Sequence, residues 1–143
     1  MIGYFVMLVV LAVGLALWEI QIEGKDGWAD KLPCWRLENK WVVKIMGGHP
    51  LTGYHVYMVS FILLALHFPA VFTDWNLGKE ALVWGFFFGL LVLEDFFWFV
   101  LNPHYGIKKF RKEEIPWHKH WWGPVPDFYW WFVAVAAGLI IAS

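Results

Sequence analysis

A chain of 143 residues that is 60% hydrophobic, 21% aromatic and only 16% charged, with a mean hydropathy of +0.54, carries more apolar side chain than one soluble core can hide. A net charge of −1 excludes nucleic acid as a partner, because that needs an excess of Lys and Arg on one surface. The single cysteine, Cys34, excludes an internal disulfide and any multi-cysteine zinc or iron–sulfur centre.

The expected fold is all-α: a polytopic membrane protein with one transmembrane domain over residues 1–143, built as a four-helix bundle with two structured cytoplasmic loops. The first apolar run covers 2–22 and is broken only by Glu19 and Gln21 near its end. It begins too close to Met1 for the charged region of a secretory signal, and no small-residue cleavage pattern follows Trp18, so it reads as a retained span. A second span is expected over 51–72, with Pro69 near its far end. The connection Thr73-Asp74-Trp75-Asn76-Leu77-Gly78-Lys79 turns the chain into a third span, 81–101, which Asn102-Pro103 ends. The last run, 128–142, is short against the roughly 20 residues that a bilayer asks for.

Two longer connections, 23–49 and 103–127, hold Lys25, Lys31, Arg36, Lys40 and Lys44, and Lys108, Lys109, Arg111, Lys112 and Lys119. With four spans both fall on one side, which the positive-inside rule makes cytoplasmic, leaving both termini outside. A three-span reading is expected to put the two basic loops on opposite faces. Most of the twelve tryptophans lie in loops or at span ends, where indole prefers the headgroup region; Trp84 and Trp98 lie within the third span. The loop cations are expected to attract anionic membrane lipid, and a homo-oligomer or a larger membrane complex is a further expected assembly.

This topology collects acids and imidazoles in one layer. Glu19 and Glu23 are four apart, hence on one helix face at the end of the first span. His49 and His55 bracket the start of the second. Glu94 and Asp95 lie roughly 10 Å inside the end of the third, and His104, His118 and His120 occupy the second loop. An acid deep in a span costs about 2.5–3.5 kcal/mol on insertion scales, so a compensator is expected: a metal ion, protons, or Lys and Arg from the loops. Helical neighbours diverge by about 100°, so one of Glu94 and Asp95 meets a ligand while the other orients a histidine or caps backbone.

Carboxylate with imidazole is the ligand set of iron, manganese, zinc or copper, and bundles assemble it from inward-facing residues of several helices. The candidate ligands are Glu94, Asp95, His55, His118, Glu19, His49, His104 and His120. No His-Glu-x-x-His or Glu-x-x-His motif is present, since Phe97 stands three after Glu94. Glu23 reads as solvated, and His67, about 18 Å along the helix from His55, belongs to the outer half. The leading function is a membrane metalloprotein acting as an oxidoreductase or hydrolase on a lipid-soluble substrate. Two alternatives are a non-catalytic accessory subunit, with Glu94 and Asp95 paired to Lys or Arg of this chain or a partner, and a proton or ion pathway through Glu94, Asp95, His55 and His67.

Overall fold

A computed structural model describes residues 1–143, of which 64% are helical. Three helical stretches are long and apolar enough to cross a membrane: α1 (Ile2–Glu23), α3 (Gly53–His67) with the 3₁₀ turn Phe68–Val71 that continues it, and α4 (Leu77–Leu101). A fourth apolar helix, α5 (Asp127–Ala142), is shorter. The third run starts earlier than its hydropathy suggests. Asn76 caps it by accepting a hydrogen bond from the Lys79 N–H at 2.9 Å, so Leu77, Gly78 and Lys79 are its first turn and not part of the connection.

Helix α4 is the centre of the molecule. It buries Gly85, Phe86, Phe87, Leu90, Val92, Trp98 and Phe99, and both α1 and α5 pack along it. Close approach is possible because the facing residues are small. On α1, Ala12 and Ala16 are fully buried in line with Leu8 and Ile20, and a Cβ on Gly89 would stand 3.3 Å from Leu8. On the α5 side a Cβ on Gly85 would stand 2.9 Å from Ile140 Cγ1 and 3.1 Å from the Ala136 carbonyl. Matching contacts rise together along α1 and α4, from Tyr4 Oη donating to Leu82 O (3.2 Å) to Asn102 Nδ2 donating to Gly24 O (2.7 Å), so these helices are parallel. α5 is antiparallel to α4 and reaches its start: a Cβ on Gly78 would lie 3.3 Å from the Ser143 carbonyl.

Helix α3 is different. None of its membrane-length apolar stretch is buried inside the protein, and Tyr57, Phe61 and Leu64 are each about 70% exposed. Ile62 and Leu66 rest on the cluster Leu8, Ala12, Phe86 and Leu90. At its end His67 Nε2 meets Glu80 Oε1 at 3.2 Å, and the same carboxylate accepts from the indoles of Trp75 and Trp84 at 2.7 Å each. His67 is therefore not alone in its half of the protein.

Both long connections are structured, with features that hydropathy does not encode. In the first, strand β1 (Arg36–Leu37) pairs antiparallel with β2 (Leu51–Thr52) and frames the short helix α2 (Lys40–Ile45). In the second, β3 (Trp121–Trp122) pairs with β4 (Val125–Pro126) across Gly123-Pro124, where Gly123 takes φ 67°. Trp117 stacks on Phe99 at 5.7 Å, and Ile115 is fully buried against Trp98 and Phe99. Trp18, Trp41, Trp122 and Trp131 are more than half exposed, in keeping with a headgroup belt, whereas Trp117 and Trp28 are packed structural residues. With the three long helices alone the two basic loops already share a side. Charge distribution therefore does not decide whether α5 crosses, contrary to the expectation for a three-span chain.

Gly85→Val places its added atoms against backbone that cannot retreat, and overpacking of this kind costs about 1–3 kcal/mol. The variant is expected to melt at lower temperature in detergent, while Gly138→Val, with nothing within 4 Å of its Cβ, is expected to melt as the parent does.

Candidate metal centre

The ends of α1, α3, α4 and α5 that carry the two long loops surround a cavity of about 700 Å³. Glu19 and Glu23 of α1, His55 of α3, Glu94 and Asp95 of α4, and His118 and His120 of the second loop all line it.

Each helix positions its ligand by local rules. The four-residue spacing on α1 points Glu19 and Glu23 in one direction, and Gly24, at φ 66°, ends the helix just beyond them. Thr52 caps α3: its hydroxyl accepts from the His55 N–H at 3.3 Å and lies 2.6 Å from His55 Nδ1, which fixes the ring. The result is a three-residue group, Glu19, Glu23 and His55, whose ligand atoms all lie within 4.8 Å of one another. Glu19 is only 6% exposed.

Glu94 and Asp95 diverge as helical neighbours must. Glu19 stands against both Glu94 and Tyr54, and the Glu94 Oε1 and Tyr54 hydroxyl are buried without a hydrogen-bond partner. Asp95 turns the other way. It accepts from His118 Nε2 at 3.1 Å and from the Tyr129 hydroxyl at 2.6 Å, making a buried His–Asp–Tyr chain between the second loop, α4 and α5. Asp95, expected as a candidate ligand, thus has its oxygens engaged by His118 and Tyr129.

No Lys or Arg nitrogen comes within 4.0 Å of Glu19, Glu23, Glu94 or Asp95; the ion pairs in the protein are Lys31–Asp30, His67–Glu80, Arg111–Glu114 and His118–Asp95. Pairing of Glu94 and Asp95 with loop cations of this chain is therefore absent. Arg36, the closest guanidinium to His55, spends its donors on the carbonyls of Ala29, Asp30 and Leu32.

Two expected ligands lie elsewhere. His49 Nε2 bonds the Trp117 carbonyl at 2.7 Å and its ring packs on Trp28 at 4.9 Å, so it joins the two loops. His104 is exposed, and its backbone N–H is held by Asn102 Oδ1. His120 reaches the cavity only at the exposed rim. Glu23, which reads as solvated in the sequence, instead belongs to the tightest acidic group: its carboxylate accepts the Ala29 N–H at 2.5 Å. The four-residue spacing from Glu19 is the signal that points to it. Trp28 carries no such signal. It sits at φ 60° beside Ala29 at φ 53°, donates to the Pro50 carbonyl, and lies between His49 and His55, 5.0 Å from the latter. Two consecutive left-handed residues other than glycine cost about 1–3 kcal/mol each, and the Glu23–Ala29 and Arg36–Ala29 bonds hold them there.

Further along α1, α3 and α4 lies the apolar cluster Leu8, Ala12, Phe86 and Leu90, with Ile62 and Leu66 packed on it. The acidic group and the His67–Glu80 pair are thus separated by side chains that carry no proton. No family model, curated protein or solved structure matches this chain.

Asp95→Leu strands the His118 ring N–H and the Tyr129 hydroxyl, at about 1–3 kcal/mol for each unpaired group. A lowered melting temperature with loss of second-loop protection in hydrogen exchange is expected. Burial holds the His49 pKa below its ordinary 6.5, so the unfolded chain takes up that proton first as pH falls. The contribution of His49 is complete above about pH 6.5 and declines below it, and His49→Gln is expected to flatten the acid side of the stability profile measured by thermal melting.

Proposed function

We propose that this chain is a four-span integral membrane metalloprotein that binds its metal among Glu19, Glu23 and His55, with Glu94 as the adjoining ligand, and acts as an oxidoreductase or hydrolase on a lipid-soluble substrate. The observation that carries the reading is the convergence of Glu19, Glu23 and His55 within 4.8 Å, with no Lys or Arg paired to any of the neighbouring acids. Uncompensated carboxylates in a low-dielectric bundle are expensive, and a multivalent cation offsets that cost most directly.

The ligand chemistry supports the same reading. If Thr52 accepts the Nδ1 proton of His55, Nε2 keeps its lone pair for a metal, the arrangement by which a second residue fixes a ligating imidazole. The Ala29 N–H holds one oxygen of Glu23 and leaves the other available. Asp95 and His118 stand beside the group as a proton acceptor and donor. A bound zinc would supply Lewis acidity and an activated water, and iron or copper would supply electrons. Copper, manganese, iron and zinc all accept this donor set, so the metal is a matter for measurement.

The four-span topology draws support from α5 lying along α4 until Ser143 is beside Gly78. Both termini then lie outside, and the basic loops face the cytoplasm with its anionic lipid. A maleimide added from the cytoplasmic side is expected to label Cys34, while Ser143→Cys in a Cys34→Ser background is expected to label from outside. Labelling of both positions from one side would remove α5 from the membrane.

Plasma mass spectrometry of detergent-purified, untagged protein is expected to find a stoichiometric transition metal. Glu19→Gln and His55→Ala are each expected to lose it while retaining helical circular dichroism. Folded parent protein that neither carries nor takes up iron, manganese, zinc or copper would end this reading.

A further inference from the structure

The cavity is stratified by chemistry, and the strata follow the helical rise. One turn deeper than the carboxylates, its wall is apolar: Met58 and Val59 stand three and four residues beyond His55, Leu91 three before Glu94, and Phe132 four beyond Phe128. The middle layer holds Glu19, His55 and Glu94. At the rim stand Lys44 and Lys119, both exposed. The apolar and acidic layers stand about one helical turn apart, roughly 5 Å, so the site is oily at the bottom and acidic in the middle, and its loop end carries Lys44 and Lys119 along with Asp127 and His120.

The rim cations are unengaged by acid. Neither Lys44 nor Lys119 is in an ion pair, although five carboxylates, Asp127 among them, line the same cavity. Lys119 Nζ is held on the Gly48 carbonyl at 3.0 Å, which fixes one ammonium at the mouth and leaves two of its three donors free. The apolar floor is shared between helices. α3 and α5 both contribute to it, and both pack on α4 without an extended contact between them. Trp131, which lines the α5 side, is 64% exposed. The wall of the cavity thus continues to the apolar outer surface of the helices.

We propose that this cavity binds a single-chain anionic amphiphile, its apolar chain on Met58, Val59, Leu91 and Phe132 and its anionic group between Lys44 and Lys119. The volume of about 700 Å³ lies in the range of small-molecule sites, about 300–1,000 Å³. In this pose the bonds between head and chain lie beside Glu19, His55 and Glu94, where the metal is proposed, so as a substrate class the inference rests on the metalloprotein reading. As a binding site it rests on the layers alone. The shared chemistry is one negative group on one long chain, which a fatty carboxylate and a monoalkyl phosphate both provide.

Binding of nitroxide-labelled palmitate, of hexadecyl phosphate in competition with it, and of uncharged hexadecanol as competitor is measured on the full chain in detergent, with metal content determined on the same samples. The anionic competitors are expected to displace the label at least tenfold better than hexadecanol, and the order of palmitate and hexadecyl phosphate identifies the preferred head group. Lys44→Gln with Lys119→Gln is expected to remove the anionic preference, and Val59→Trp, which fills the floor, to weaken all three ligands, both with metal content unchanged. Equal displacement by hexadecanol, or a charge preference that survives loss of both lysines, overturns the proposal even if metal is present. Layered binding by folded protein that neither carries nor takes up iron, manganese, zinc or copper would uphold the site and overturn the metalloprotein reading instead.

Discussion

Everything in this protein depends on how closely α1 and α5 approach α4. Side chains at the contact are alanine and glycine: Ala12 and Ala16 on one flank, Gly85 and Ala136 on the other, with Gly89 beneath Leu8. In the proposed membrane setting, a medium as apolar as leucine, there is little hydrophobic gain in bringing helices together, so packing at short range has to hold them. The same closeness sets Glu19 against Glu94 and lets Tyr129 reach Asp95 at 2.6 Å. Bulkier residues along those seams would separate the helices and dissolve the polar group.

The second determinant is the division of labour between adjacent acids. Glu94 and Asp95 occupy neighbouring positions on a helix, and the roughly 100° between them sends each to a different neighbourhood. Asp95 finds two donors, and its cost is met by hydrogen bonds inside the chain. Glu94 finds another carboxylate, Glu19, and its Oε1 is buried without a hydrogen-bond partner. In the proposed metal site Glu94 is the ligand and Asp95 the supporting residue. Helix α3 completes that site while remaining the least packed of the long helices. It contributes His55 and two residues of the cavity floor, yet its remaining surface is left to the surroundings.

The loops are part of the same construction. The strained pair Trp28-Ala29 is held by Glu23 and Arg36, and it places an indole between the histidine that joins the loops and the histidine that faces the acids. Ile115, Trp117 and Phe99 close the space behind. An insertion here would disturb His118 and, through it, Asp95.

Hydropathy and helix-stop residues were enough to place the four apolar runs within a few residues, because a span must be apolar over its whole length and the breakers Gly24, Pro69 and Asn102-Pro103 stand at its ends. They misplaced the start of α4 by four residues, since Asn76 caps the helix by a side-chain bond that hydropathy does not weigh. The layer of acids and imidazoles was also legible, because helical rise converts residue number into depth. Direction was not. Whether His49 faces the acids or the Trp117 carbonyl, whether Glu23 is solvated or gathered in, and which of Glu94 and Asp95 meets His118 depend on rotations and loop paths fixed by contacts from 6 to 78 residues distant in the chain. The two small ladders and the left-handed Trp28-Ala29 pair belong to the same class. They exist because tertiary hydrogen bonds stabilise backbone that short segments would not adopt alone, and only the folded chain supplies those partners.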